Sequence, residues 1–349
     1  MLKINIMKTT KFFKNRTMTT SLLSKTSRNV IGVIAMTAIL FTNCESNDDA
    51  THEGFVETPP TAQEFENIRA IALDNHTQIF NFNADDGYIT LTSEKGVDIQ
   101  INANCLSHNG NPVSGDVTLE YVEIFEKGNM LTTNKPTMGR LPDGGKALLI
   151  TGGEFYLEAR QNGNILETTC GYQLVVPSDL TNGPDQGMTL WNGVIDDNGN
   201  LTWDEIVDDA AGGGLFMEDT SYYVLAEGFG WTNIDRFYSD PRPKTQLQVQ
   251  PPIGYNDENS DVYLSYDGER PALAQLDTFD DSLNVFSEHY GQIPIGLECH
   301  LIFVTESNGQ WRYAIKPVTI VANDIITFDI EETIVGTEES LIDLLNELP

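Results

Sequence analysis

Five groups of residues in this 349-residue chain have types and spacings that could do chemistry. The turn after Ile195 crowds oxygen ligands: Asp196, Asp197, Asn198 and Asn200, with Asp204 and Glu205 close behind. Calcium takes about six to eight oxygens, so Asp196, Asn198 and Asn200 are candidate ligands. Leu201 stands where an EF-hand loop needs glycine, so the competing reading is an Asp-Asn-Gly hairpin turn on an acidic surface. Cys105 and His108 have a metal-like spacing but no second pair beside them. In GWTNIDRF, Asn233 and Asp235 point the same way along an extended strand and the adjacent Arg236 points the other way. They are candidates either for ligand contact or for a structural polar network. Trp191, Trp203, Trp231 and Trp311 would make a sugar-stacking platform if exposed, or fill a core if not.

Other signatures are missing. No G-x-S-x-G pentad offers a nucleophilic serine. His52-Glu53 is followed by no partner histidine, and no glycine-rich loop carries a P-loop lysine. A glycosidase needs two carboxylates about 5–10 Å apart, and 52 acidic residues do not nominate a pair.

The fifth group is Cys44. Val30–Phe41 is an uncharged apolar run preceded by seven basic residues and no acid, the form of a secretory leader. It is shorter than the roughly 20 residues that span a bilayer. Met7 and Met18 offer alternative starts to Met1. Cys44 directly after that run resembles the lipobox of bacterial lipoproteins, in which the thiol is acylated and becomes the new N-terminus. Leu40 sits one position early and Asn43 departs from the usual small residue. The looser form resembles that of Bacteroidota lipoproteins, and Glu45, Asp48 and Asp49 resemble their surface-export signal. The resemblance implies palmitate on Cys44 and an outer-membrane protein displayed at the cell surface. Acyl chains supply roughly 0.8 kcal/mol per buried methylene, which holds a water-soluble body on a membrane.

The charge narrows the partners. Beyond Cys44 there are 13 basic and 52 acidic residues, a net charge of −39. Nucleic-acid binding needs basic patches that displace counterions, and none follows Arg28. The expected partners are therefore the membrane, through the lipid, and a protein or glycan, with no nucleic acid. Three cysteines follow the tether. A Cys105–Cys170 bridge is possible in an oxidising compartment, and buried thiols are the alternative.

Residues 44–63 read as a linker stiffened by Pro59-Pro60. Phe65, Ile68, Ile71 and Ala72 then recur at helical spacing after a Thr61 cap. From residue 79 the period becomes two: Val97, Ile99 and Ile101; Val117 and Leu119; Phe155, Leu157 and Ala159; Leu174 and Val176. Asn-Gly and Asp-Gly turns separate the runs. MTLWNGVIDDNGNLTW reads as a hairpin. A second β block follows, with Leu247 and Val249; Val262, Leu264 and Tyr266; the continuous run Leu301–Val304; Trp311, Tyr313 and Ile315; and Ile326, Phe328 and Ile330. Leu341, Leu344, Leu345 and Leu348 after a Thr337 cap predict a C-terminal helix.

GVDIQINANCL, NGNPVSGDVTLEYVEI and LLITGGEFYLEARQNGNIL together resemble a ZU5-like β-sandwich module, over roughly residues 82–180. GWTNIDRF resembles a short signature found beside such modules. The resemblance implies a structural or interaction module without catalytic residues.

The expectation is an all-β chain: two tandem antiparallel β-sandwich domains after a lipoprotein signal peptide, with short helices near the start of the mature part and at the C-terminus. The segments are a leader at 1–43, a tether at 44–63, a ZU5-like sandwich with its helix and hairpin at 64–212, a smaller Ig-like sandwich at 213–335 and a helix at 336–349. The expected function is a non-catalytic surface lipoprotein serving as a binding, adhesion or scaffold module. The alternative is a carbohydrate-active enzyme or glycan-binding component of an outer-membrane uptake system.

Overall fold

A computed structural model describes residues 58–196, 199–207 and 214–349; the expected leader, Cys44 and most of the expected tether lie outside the described residues. The described chain is all-β with three helices. Local sequence explains the hairpins. Asn109-Gly110, Asn162-Gly163 and Asn308-Gly309 all take positive φ at both residues, which gives two-residue turns that match strand twist. Each is flanked by a paired couple: His108 with Asn111, Gln161 with Asn164, and Ser307 with Gln310.

An eight-stranded sheet forms the centre of the first block. Its main path runs Gln78–Asn83, Asp116–Ile124, Lys146–Gln161, Gly230–Phe237, Thr189–Ile195, Leu201–Glu205 and Met138–Arg140. Met138–Arg140 also pairs back onto Lys146–Gln161, so five of these strands close into a ring. Closure needs small residues inside. A Cβ on Gly193 would lie 2.5 Å from the Cβ of Trp231, and one on Gly139 would lie 2.6 Å from Leu149.

A five-stranded sheet faces this one in a β-sandwich-like arrangement: Gly214–Glu218, Ser221–Ala226, Tyr172–Pro177, Asp98–Asn102 and Tyr88–Thr92, in that order. Cys105 and Cys170 are joined by a disulfide across 65 residues beside it, which settles the two readings of these thiols in favour of the bridge. Strand pairing runs through the expected boundary at 212/213. Ser221–Ala226 is bonded to Tyr172–Pro177, and Gly230–Phe237 to Lys146–Gln161. Alternation identifies such strands but is silent on their partners.

The second block has a four-stranded and a five-stranded sheet. Glu298–Ser307 lies inside the latter and is covered on both faces. Leu301 and Phe303 enter one core, Ile302 and Val304 another, and none exceeds 1% exposure. That is why the run is continuously apolar, and each such side chain contributes about 1.5–3 kcal/mol.

The second core joins both blocks and the helices. Helix α1, Ala62–His76, starts in a capping box between Thr61 and Glu64. It buries Phe65, Ile68 and Ala72, while Ile71, expected on the same face, is 58% exposed. Helix α2 is Lys127–Thr132 and helix α3 is Glu338–Asn346. Thr337 caps α3, and Leu341 and Leu345 are its buried anchors.

Candidate functional site

The chemistry-bearing residues of GWTNIDRF meet inside the ring of strands. Alternation places Trp231, Asn233 and Asp235 on one face, toward the second core. Glu154 stands directly opposite Asn233 in register, and Thr151 opposite Asp235. The register slips between Ile234 and Asp235, beside Gly152-Gly153. Gly153 has φ +134 and a Cβ there would meet Phe125 at 2.6 Å, so only glycine fits.

Hydrogen bonds tie the cluster together. Thr151 Oγ1 donates to Asn233 Oδ1 at 2.7 Å, and Asn233 Nδ2 donates to Asp235 Oδ2 at 2.6 Å. Trp191 Nε1 donates to the Asp235 carbonyl at 3.0 Å. Lys135 Nζ closes one end. It donates to the carbonyls of Thr133 and Asn134 and stands 5.3 Å over the Trp231 ring.

The acids are less well served. Among the described residues, both oxygens of Glu154 and Oδ1 of Asp235 are buried with no hydrogen-bond partner. Neither residue has measurable exposure. An ionised carboxylate without donors is costly in such surroundings. Burial accordingly pushes Glu154 well above its ordinary range; the neighbouring Asp235 adds to this and Lys135 opposes it. Burial raises Asp235 in the same way, against the hydrogen bonds from Thr151 and Asn233. Burial lowers Lys135 to about 8, with Glu154 pulling the other way. Perturbed groups often mark active sites, but acid–base catalysis needs hydrogen-bond reach to a substrate. These two carboxyls are sealed from solvent, which suits a structural network.

Above the cluster, Lys135 and Asn134 line a cavity of about 900 Å³ together with Arg69 of α1. The cations at its base are engaged: Arg69 pairs with Asp261 and stacks at 3.9 Å on Phe65. Tyr263 Oη lies 2.7 Å from Asn134 Oδ1 and 2.9 Å from Asp261 Oδ2. Glu66, Asp257 and Glu258 make the mouth acidic.

The other sequence candidates fall elsewhere. Asp196 Oδ1 accepts the Asn200 N–H at 3.0 Å, and Asp196 N–H donates to the Asn200 carbonyl at 3.0 Å, closing the expected hairpin turn. Asn198 lies outside the described residues. Among the described residues no three His, Cys, Asp or Glu side chains converge to hold a metal ion. Cys105 is spent in its disulfide, so the Cys105–His108 spacing offers no thiolate. Arg236 leaves the cluster, and its Nε donates to Asp185 Oδ2 at 2.6 Å. That bond, with the Gly187 N–H, holds the Asp185 carboxyl below its ordinary value. All four tryptophans are core residues, from 0% exposed at Trp203 to 9% at Trp231. Trp203 and Trp231 meet edge to face at 6.3 Å.

Sequence reasoning missed Lys135 and Glu154. Glu154 looked like an outward residue alternating with Phe155, because one strand does not reveal that both its faces are covered. No local signal marked Lys135: its neighbours Thr133, Asn134, Pro136 and Thr137 read as a polar loop, in which a lysine is ordinarily solvated. No family model and no curated protein matches the chain.

Proposed function

We propose that this protein is a non-catalytic binding or scaffold module, held at the outer membrane by acyl chains on Cys44 and displayed at the cell surface. The observation that carries the non-catalytic part is where the reactive side chains lie. The four indoles and the Glu154–Asp235 pair sit in cores, where no substrate touches them. A carbohydrate-active enzyme would instead present an aromatic row beside an acid pair in an open cleft. The Cys105–Cys170 disulfide supports export, because such bonds persist beyond the reducing cytosol. The ZU5-like resemblance of the first block agrees with an interaction role.

Radiolabelled palmitate tests the anchor. Label is expected on the wild-type protein and absent from Cys44→Ala, with the wild-type protein cut by protease added to whole cells. Label that survives the substitution refutes the anchor, and protection from protease refutes surface display.

A further inference from the structure

The five-stranded sheet of the first block packs one face on the core, through Ile99, Leu174 and Val224, and turns the other to solvent. Its register places the outward side chains in rows. Phe216, Tyr223 and Val175 are consecutive neighbours across three strands. Leu225, Gln173, Gln100 and Thr90 form the next row across four. Tyr88, opposite Asn102, stands in the third row at the far edge. Phe216 is 60% exposed and Tyr88 83%.

An outward sheet face is ordinarily polar, so rings at both ends of this one need a reason. Five strands spaced about 4.8 Å apart set Phe216 and Tyr88 about 19 Å apart across the sheet. The two glutamines lie between them. Among the described residues, the side chains of Gln100, Gln173 and Thr90 have no protein hydrogen-bond partner. An amide both donates and accepts, as does a sugar hydroxyl. The face carries no Lys or Arg. Its acids are Asp98, which continues the first row beside Val175 and accepts from Thr92 Oγ1 at 2.8 Å, and Glu218 at the edge strand's end. A molecule with a net charge of −39 beyond Cys44 repels polyanions, and this face offers them no cation. The matching ligand is uncharged, rich in hydroxyls and long enough to bridge two aromatic platforms.

We propose that this outer face binds a neutral polysaccharide chain lying diagonally across the five strands, stacked on Phe216 and Tyr223 at one end and on Tyr88 at the other, with Gln173 and Gln100 bonding its hydroxyls between them. The proposal rests on the binding-module reading and names its ligand class.

Affinity electrophoresis of the intact protein tests it, with hydroxyethylcellulose, galactomannan, xylan or polygalacturonate cast in the gel. At least one neutral polymer should retard the wild-type protein and polygalacturonate should not. Phe216→Ala and Tyr88→Ala should each weaken retardation about tenfold, as loss of an aromatic anchor does, and the double variant Gln100→Ala/Gln173→Ala should weaken it too. These side chains are at the surface, so melting temperatures should be unchanged. Ile253→Ala, 97% exposed on the second block, should bind normally. The proposal is overturned if no neutral polymer retards the protein, if polygalacturonate does, or if the face variants bind like wild type. A dimer in sedimentation that Phe216→Ala dissolves would give the face to a second copy and also overturn it. Palmitate labelling that stays intact while retardation fails rejects the glycan face alone, and loss of labelling with retardation intact rejects the anchor alone.

Discussion

Glu154 holds a carboxyl group where neither oxygen meets a donor, and that fixes a direction for the protein's response to pH. A folded-state pKa above the unfolded one means that the native state keeps its proton longer. Deprotonation then costs stability as pH rises. Glu154 and Asp235 both shift this way. Lys135 shifts oppositely: its burial costs stability below pH 8, and the cost is relieved between 8 and its ordinary 10.5. Stability should therefore decline as pH rises above 4.5, the ordinary value of the Glu154 carboxyl. Glu154→Gln removes one of the raised acid titrations, leaving those of Asp235 and of Glu288, which burial lifts to about 7, and keeps the shape, so its urea midpoint should fall less steeply as pH rises. Identical slopes for variant and wild type would show that Glu154 is ionised at neutral pH despite its burial. The sequence made Asn233 and Asp235 visible as a pair on one face, because that follows from strand geometry alone. Glu154 and Lys135 join them only through the ring of strands, a closure set by pairing between distant segments.

At the scale of elements, the docking of α3 on α2 depends on one missing methyl group. A Cβ on Gly128 would come 2.7 Å from the Ile342 carbonyl oxygen, and the Gly128 N–H donates to Asn346 Oδ1 at 2.9 Å. The two helices thus meet backbone to backbone. Gly128→Ala should push α3 outward and cost roughly 1–3 kcal/mol, the usual range for overpacking. Hydrogen exchange should then quicken over residues 338–346 before it does elsewhere. Exchange there that matches wild type would mean α3 is held by Leu341 and Leu345 alone. Both terminal helices were legible in the sequence, caps included, because capping chemistry is local. Strand identities were legible for the same reason: Val97, Ile99 and Ile101 alternate, and the Asn-Gly turns carry their own conformational preference. What covers each face was not. Ile71 fits the helical stripe of α1 yet points to solvent, and the strands of 214–237 read as the start of a second block while their hydrogen bonds belong to the first.

Across the whole molecule, the two hydrophobic cores ignore the division into blocks. One joins Val97 and Leu157 to Leu247 and Phe303; the other joins Phe65 and Trp203 to Ile302 and Leu341. Residues 57–349 accordingly form one compact unit. Calorimetry should show a single unfolding transition whose calorimetric and van't Hoff enthalpies agree. Two resolved peaks would mean that the blocks melt independently.

The odd thiol, Cys299, bears on how this chain matures. Its side chain is 1% exposed, and burial pushes the thiol up to about 12, so in the finished fold it does not react. Before the strand Glu298–Ser307 is in place nothing hides it, and three thiols then compete for each other. An oxidant that arrives after this strand has docked finds only Cys105 and Cys170 to join. The order of burial and oxidation, more than any property of the clasp itself, decides whether a newly made chain closes correctly or traps itself in a crossed form.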